Sequence, residues 1–436
     1  MNNLILNEII GCKCGKSHRH SIKRIVTGSG AVNALPEIIG EIGASYAFVI
    51  SDKNTEIAAG SRVKAILDGI GMKYTCCYFD EDHVMPDEKS VGYAAMYFDK
   101  NCDVIITAGS GVLNDIGKII SNISGKPYII VGTAPSMDGY ASDSSSMTRG
   151  GLKISLKSRA ADYIIGDTDI LKNAPLRMMK SGLGDMIAKY VSICEWRISN
   201  LISGEYFCPV IADLVRSSLK RCTDNAAGLL ERDEEAVTAV FEGLVICGIA
   251  MNYAGISRPA SGVEHYLSHI WDMRAIEFGT PEDFHGIQCA IGSLIAVRLY
   301  EKLRDIVPDR EKALAYAGGF DFEKWSEELR NFLGKGAESM IALEAKEGKY
   351  DLKKHAERLE VIIAKHNDIL GIIEEELPTS AELEKLLDTI DAPKTMADIN
   401  LDESILGMTV KASKDIRDKY VLPRLMWDLG ILDEML

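Results

Sequence analysis

Asp103-Val-Ile-Ile-Thr-Ala-Gly-Ser-Gly-Val-Leu-Asn-Asp-Ile-Gly-Lys118 places a Gly-Ser-Gly turn directly after an apolar, strand-like run and directly before a helical period. Strand, glycine turn, helix is the order in which a parallel sheet offers the amides of a helix start to a phosphate. The glycines let the anion approach the backbone closely. A tight loop with no ligand has the same signature. The turn is not the Gly-x-Gly-x-x-Gly fingerprint, because Asn114 stands where the third glycine would fall. It also follows a late strand instead of the first.

Outward from this turn the pattern alternates. Strand-like runs occupy 46–50, 73–79, 103–107 and 128–132, with helix-like stretches such as 56–70 and 87–99 between them. Such alternation predicts a parallel sheet covered by helices. Two further extended runs, 152–156 and 163–166, close this half. Beyond Thr168 helices are predicted almost throughout, at 185–199, 209–222, 234–254, 264–273 and 286–301 and on into a charged tail. There Ser380 is the expected N-cap of a helix. The fold class read from this pattern is an α/β nucleotide-binding domain with a parallel sheet, residues 1–168, followed by an all-α domain, residues 169–436.

The bulk numbers narrow the function. The 436 residues are 47% hydrophobic and 26% charged, as in an ordinary globular protein, and the net charge of −15 argues against nonspecific binding to nucleic acid or anionic membrane. An anionic substrate on so acidic a chain needs a local cationic pocket or exposed amides. Ten cysteines in this length are too dilute for a disulfide scaffold. The opening Met-Asn-Asn-Leu-Ile-Leu-Asn-Glu-Ile-Ile has no basic start and carries an acid, so no signal peptide is expected. The longest apolar segment, 243–256, is too short to span a bilayer. A reduced, cytoplasmic protein is the expectation.

Polar chemistry gathers at the strand ends, where ligands of open parallel sheets bind. Val49-Ile50-Ser51-Asp52 ends a strand on an acid able to accept hydrogen bonds from an adenosine ribose. The run from Tyr128 through Gly132 leads into Thr133-Ala-Pro-Ser-Met-Asp-Gly-Tyr-Ala-Ser142, a loop of small and polar residues.

In the helical half, Ser261-Gly-Val-Glu-His-Tyr-Leu-Ser-His-Ile-Trp-Asp-Met273 puts His265 and His269 on one helix face, one turn apart. Two histidines satisfied by ordinary hydrogen bonds would fit, and so would metal ligands. Glu264 precedes the first histidine, so the His-Glu-x-x-His protease pattern is absent. His285 follows at the expected start of the next helix. Asp185, in Gly182-Leu-Gly-Asp, is read as opening a helix, either as an N-cap or as a carboxylate ligand. One aspartate with two histidines makes a mixed site with an open position, suited to a Lewis-acid metal. Cys12-Lys-Cys-Gly-Lys-Ser-His-Arg-His20 is a separate cluster of Cys12, Cys14, His18 and His20, too tightly spaced for a usual zinc ribbon and expected to be non-catalytic. Cys76 and Cys77 are expected on opposite faces of one strand.

Taken together, Ser51-Asp-Lys-Asn-Thr, Gly109-Ser-Gly-Val-Leu-Asn-Asp, Thr133-Ala-Pro-Ser-Met-Asp-Gly-Tyr-Ala-Ser, Gly182-Leu-Gly-Asp, Ser257-Arg-Pro-Ala-Ser-Gly-Val-Glu-His-Tyr-Leu-Ser-His and His285-Gly resemble the bacterial sn-glycerol-1-phosphate dehydrogenase family of the AraM type. That family sits in the iron-containing alcohol dehydrogenase and dehydroquinate synthase superfamily. The likeness covers roughly residues 24–290, and Lys414-Asp-Ile-Arg-Asp-Lys-Tyr in the tail is also similar. Departures are small: the turn begins Ala108-Gly109 and continues Val112-Leu113, and the segment after Ser142 is rich in serine.

The resemblance implies roles. Asp52, Gly109, Ser110, Gly111, Val112, Leu113, Thr133, Ser136 and Ser142 would hold NAD(H) or NADP(H). Asp185, His265 and His285 would bind one divalent metal, zinc, nickel or iron. Asp138 and His269 would serve catalysis and, with Asp185, face the substrate. The implied reaction is reversible hydride transfer between the nicotinamide and dihydroxyacetone phosphate, giving sn-glycerol 1-phosphate for phospholipid biosynthesis, in a homodimer. The metal would polarise the ketone while His269 orients substrate or relays a proton. Arg258 and Lys153 are the candidate phosphate partners. A glycerol or polyol dehydrogenase, a dehydroquinate synthase-like lyase and a non-catalytic nucleotide-binding protein are the alternatives.

Overall fold

The computed structural model describes residues 2, 3 and 8–436; residue 1 and residues 4–7, part of the stretch in which no signal peptide is expected, lie outside the described residues. Among the described residues there are nine strands: β1 (Asn2–Asn3), β2 (Arg24–Gly28), β3 (Tyr46–Asp52), β4 (Lys73–Phe79), β5 (Val104–Gly109), β6 (Tyr128–Gly132), β7 (Ser144–Arg149), β8 (Leu152–Lys157) and β9 (Tyr163–Asp167). Seven form one sheet in the order β1-β2-β9-β6-β5-β3-β4, parallel except for the β1–β2 pair. The central strands are continuous apolar runs, with Phe48, Ile50, Ile105, Ile106, Ile129 and Val131 all buried, as a sheet covered on both faces requires. The chain winds one way from β3 to β4, then crosses back to β5 on the other side of β3. That reversal is the topological switch point, the place where open parallel sheets bind their ligands.

The extended runs expected at 152–156 and 163–166 are both strands, and they fall in different sheets. The first belongs to a separate antiparallel hairpin, β7–β8, in which Arg149 faces Leu152 across Gly150-Gly151. Both glycines have positive φ, 58° and 77°, as a primed two-residue turn demands. The second is β9, inserted in the main sheet between β2 and β6.

By packing, the chain separates into two compact units, 1–186 with 213–256, and 187–212 with 257–436. The division expected at 168/169 follows the change from strands to helices, whereas packing adds helices to the sheet unit. The reason lies in the helix Glu234–Ala254, whose Phe241 ring sits over two glycines of the sheet. A Cβ on Gly166 would come within 2.2 Å of that ring and one on Gly132 within 2.8 Å. Thr27 also donates to the Glu242 carboxylate of this helix at 2.5 Å. By length and composition the helix could cross a membrane, yet 89% of its most apolar window is buried in the protein.

The second unit is helical. The helices Val263–Phe278 and His285–Leu303 touch along their backbones, since a Cβ on Gly292 would stand 2.7 Å from the Glu264 carbonyl oxygen. In the tail the helix Ser380–Thr389 is capped by Thr379 and not by Ser380: Thr379 and Glu382 form a reciprocal capping box.

Candidate functional site

Within the sheet unit, β3 and β5 are neighbours with Ile50 level with Thr107, so Asp52 and Gly109 end their strands side by side at the switch point. Asp52 caps the turn that follows, its Oδ1 accepting from the amides of Asn54 at 3.0 Å and Thr55 at 2.7 Å. These bonds hold the carboxylate at the crevice. Gly109 has no room for a side chain, because a Cβ would meet that of Leu113 at 2.6 Å. Ser110 and Gly111 begin the helix Gly111–Ser124 with no side-chain cap, leaving its amides as the polar feature of the turn. Asn114 replaces the third glycine of the fingerprint for a structural reason. It is fully buried, donating from Nδ2 to the Gly139 carbonyl at 3.0 Å and accepting from the Tyr128 hydroxyl at 3.1 Å. Gly117, one turn later, supplies the close helix–sheet approach, where a Cβ would lie 2.5 Å from Thr107 Oγ1 and the Tyr128 hydroxyl.

The loop carrying Thr133, Ser136, Asp138 and Ser142 is secured through its backbone. The Thr133 amide donates to Gly109 at 3.1 Å, the Tyr140 hydroxyl to the Ala134 carbonyl at 2.6 Å, and Asn252 to the Ala141 carbonyl at 2.8 Å. Ser142 Oγ lies 2.9 Å from Ser144 Oγ. A residue missed from sequence completes the clamp. Lys118 is fully buried, with its ammonium donating to the carbonyls of Gly139 and Ser144 and paired with Asp115 at 2.7 Å. Burial raises the Asp115 carboxyl pKa, against the pull of Lys118. The available signal was an Asp–Lys pair one turn apart in the helix that follows the glycine turn.

Asp185 is not at a helix start. The helix runs Leu176–Ser203, so Gly182 and Asp185 lie inside it and the N-cap reading falls. Gly182 is there for contact: a Cβ would stand 1.8 Å from the Pro135 carbonyl oxygen, so only glycine lets the helix touch the loop. From that contact the buried Asp185 carboxylate reaches back, its Oδ2 accepting the Asp138 amide at 2.9 Å. Ser181 binds the Ser136 carbonyl at 2.9 Å.

Within the helical unit, three imidazoles gather. The His265 and His285 ring centres are 4.9 Å apart, and the His269 ring stacks on His285 at 5.8 Å. Glu264 Oε1 lies 2.7 Å from His265 Nδ1 and also accepts the Gly262 amide at 2.6 Å. A carboxylate only accepts, so Nδ1 carries the proton and Nε2 carries the lone pair. Ser268 does the same for His285. Its hydroxyl proton goes to Gln288 Oε1 at 2.6 Å, so its oxygen accepts from His285 Nδ1 at 3.0 Å. Cys289, one turn after His285, sets its sulfur 3.6 Å from His285 Nε2. Behind them, Glu195 accepts the amides of Val263 at 2.9 Å and Leu422 at 2.7 Å. Burial and the adjacent Glu264 raise its pKa. Orientation of ring nitrogens by outer acceptors is what a metal-binding histidine pair requires. Sequence spacing showed the histidines but not Glu264, Ser268 or Gln288 as their orienting partners.

Arg258 is ruled out as a phosphate partner by its own bonds. It is fully buried, with its guanidinium committed to Glu205 at 2.6 Å, Ser199 at 3.0 Å and the Tyr420 carbonyl at 3.0 Å. Lys153 lies half-buried on β8 of the hairpin.

The family model for iron-containing alcohol dehydrogenases matches residues 26–175. A protein of Halalkalibacterium halodurans named glycerol-1-phosphate dehydrogenase [NAD(P)+] is 28% identical over 415 residues, 94% of each chain. One of the same name from Bacillus velezensis is 32% identical over 308 residues, 68% of this chain and 78% of that one. Among solved structures, a maleylacetate reductase from a Rhizobium strain superposes with a TM-score of 0.61 at 14% identity, covering 96% of both chains, a likeness of fold. The glycine-turn crevice and the oriented histidine pair thus occur in a chain that belongs to the glycerol-1-phosphate dehydrogenase family of the iron-containing alcohol dehydrogenases.

Proposed function

We propose that this chain is an oxidoreductase that reduces dihydroxyacetone phosphate to sn-glycerol 1-phosphate, reversibly, with NAD(P)H and a divalent metal. The observation that carries the reading is the histidine pair with both Nδ1 atoms held by protein acceptors, in a chain whose relatives bear that enzyme's name. In this reading residues 1–168 bind the nucleotide and 169–436 the metal and substrate.

Asp185, His265 and His285 are the proposed ligands, a nitrogen and oxygen set suited to zinc, nickel or ferrous iron. When bound, such an ion supplies Lewis-acid polarisation of the substrate carbonyl. The chain's own part is positional. Asp52 accepts from the adenosine ribose and, by charge repulsion of a 2′-phosphate, favours NAD over NADP. The amides from Gly109 to Leu113 receive the pyrophosphate, and Thr133, Ser136 and Ser142 line the cofactor's path. Asp138 orients the triose. His269 hands a proton to the C2 oxygen as hydride arrives at carbon. A cytoplasmic homodimer serving lipid synthesis fits this chemistry.

The test compares dihydroxyacetone phosphate with unphosphorylated dihydroxyacetone in an NADH oxidation assay. The reading expects kcat/KM at least about a hundredfold higher for the phosphate ester, given what a charge-assisted phosphate contact contributes. Equal values would move the chain to the polyol dehydrogenases, and no net NADH consumption with either would remove the reading.

A further inference from the structure

The cluster near the N-terminus takes no part in the reaction above, yet its side chains converge. We propose that Cys12, Cys14 and His18 form a second metal site, for a thiophilic divalent ion of the zinc class, which pins residues 9–18 to the end of the helix Glu234–Ala254.

The backbone builds the site. Ile9 and His18 pair as an antiparallel bridge through two hydrogen bonds, at 3.0 and 2.8 Å. Inside it the Cys12 amide donates to Lys16 at 3.1 Å and the Gly15 amide to Cys12 at 2.9 Å. Gly15 has a φ of +86°, a conformation that lets the chain reverse directly after the second cysteine. The result is a knuckle that compensates for the short spacing. Although one residue separates the cysteines, their sulfurs and a nitrogen of His18 all lie within 4.8 Å of one another. His20 is not among these donors and lies against the Tyr253 ring at 5.7 Å.

The histidine is oriented for the role. His18 is fully buried, and its Nδ1 lies 3.0 Å from the Tyr253 carbonyl oxygen, which only accepts. The proton is therefore on Nδ1, and Nε2 turns its lone pair to Cys14 Sγ at 3.3 Å. A backbone carbonyl on the far ring nitrogen is the usual support of a metal-bound imidazole. Bonds of about 2.3 Å to sulfur and 2.0–2.1 Å to nitrogen in a tetrahedron set such donors roughly 3.5 Å apart, close to this separation. On binding, two S–H protons leave to solvent and two sulfur–metal bonds form. With a neutral imidazole the two thiolates balance the charge of a divalent ion. A fourth donor or a water completes the tetrahedron. Tyr253 belongs to the last turn of the helix Glu234–Ala254, so the ion fastens the knuckle to the core.

Cobalt(II) loading tests the site independently of catalysis, because the proposed catalytic ligands include no thiolate. The native chain should show a sulfur-to-cobalt charge-transfer band in the near ultraviolet. Cys12→Ser and Cys14→Ser should each abolish or strongly reduce it, whereas Cys289→Ser and His265→Ala should keep it. No band in the native chain, or a band that survives both Ser substitutions, overturns the proposal, as does loss only with Cys289→Ser. If the cysteine variants fail to fold, alkylation of the native chain with and without Zn²⁺, mapped by peptide mass, decides. Protection of Cys12 and Cys14 by the metal supports the site, and equal labelling overturns it.

Discussion

The glycine-turn crevice and the histidine cluster are built on opposite principles. In the crevice the working surface is backbone: helix-start amides, carbonyls clamped by Lys118 and Asn252, and glycines such as Gly182 that exist because no Cβ fits. In the histidine cluster the working atoms are ring nitrogens, and what matters is which proton each ring carries, set by Glu264 and Ser268. A backbone site tolerates changes of side chain but not of chain path. A side-chain site tolerates small shifts of path but not the loss of one orienting acceptor.

The largest effect should come from the working atoms themselves. His265→Ala should lose the bound metal and lower kcat/KM about a thousandfold or more, the scale of losing a Lewis acid. His269→Ala should keep the metal and lower kcat by about 10²–10⁴, the scale of a proton-transfer group. Metal analysis beside steady-state kinetics checks both, and metal loss in both variants would make His269 a ligand.

Next is the backbone contact. Gly182→Ala drives a methyl against the Pro135 carbonyl, 1.8 Å away before relaxation, and should cost about 1–3 kcal/mol or more. Denaturant titration should show that loss together with a raised KM for NADH. An unchanged midpoint would mean that the loop is not held by this contact.

Smaller is the loss of an orienting acceptor. Glu264→Ala should weaken metal affinity or activity by about 10–100-fold, and Glu264→Gln, which keeps an acceptor oxygen, should recover part of it. Equal losses in the two would show that charge, not orientation, is what His265 needs.

The smallest concerns a buried lysine in the tail. Lys414 stands 3.6 Å over the Trp325 ring and 3.2 Å from Asp415. Burial lowers its pKa from 10.5 to about 8. Between those values the unfolded chain binds more protons than the folded one, so this group makes stability rise with pH from about 8 to about 10.5. Melting temperatures across that window should lose part of their upward slope in Lys414→Met, and an identical slope would contradict it.

The same contrast explains what could be read in the sequence. The alternating runs and the Gly-Ser-Gly turn are local patterns, and they announced the parallel sheet and its crevice. His265, His269 and His285 were visible because helical spacing and rarity single them out. Asp185 was misplaced at a helix start because Gly182 and Gly184 read as helix breakers, and the Pro135 oxygen that explains Gly182 is far away in sequence. The β7–β8 hairpin hid behind a serine-rich run, though Gly150-Gly151 was the turn signal. Lys118, Glu264 and Ser268 act through partners that only the folded chain brings near.

The central claim is that oriented histidines serve a metal-dependent reduction of a triose phosphate. Its most direct measurement is NADH oxidation with dihydroxyacetone phosphate by metal-stripped protein, repeated after restoring zinc, nickel or ferrous iron one at a time. The account predicts no turnover when stripped, recovery with at least one ion, and sn-glycerol 1-phosphate as the product. Full activity in the stripped protein, or none with any ion, would contradict it.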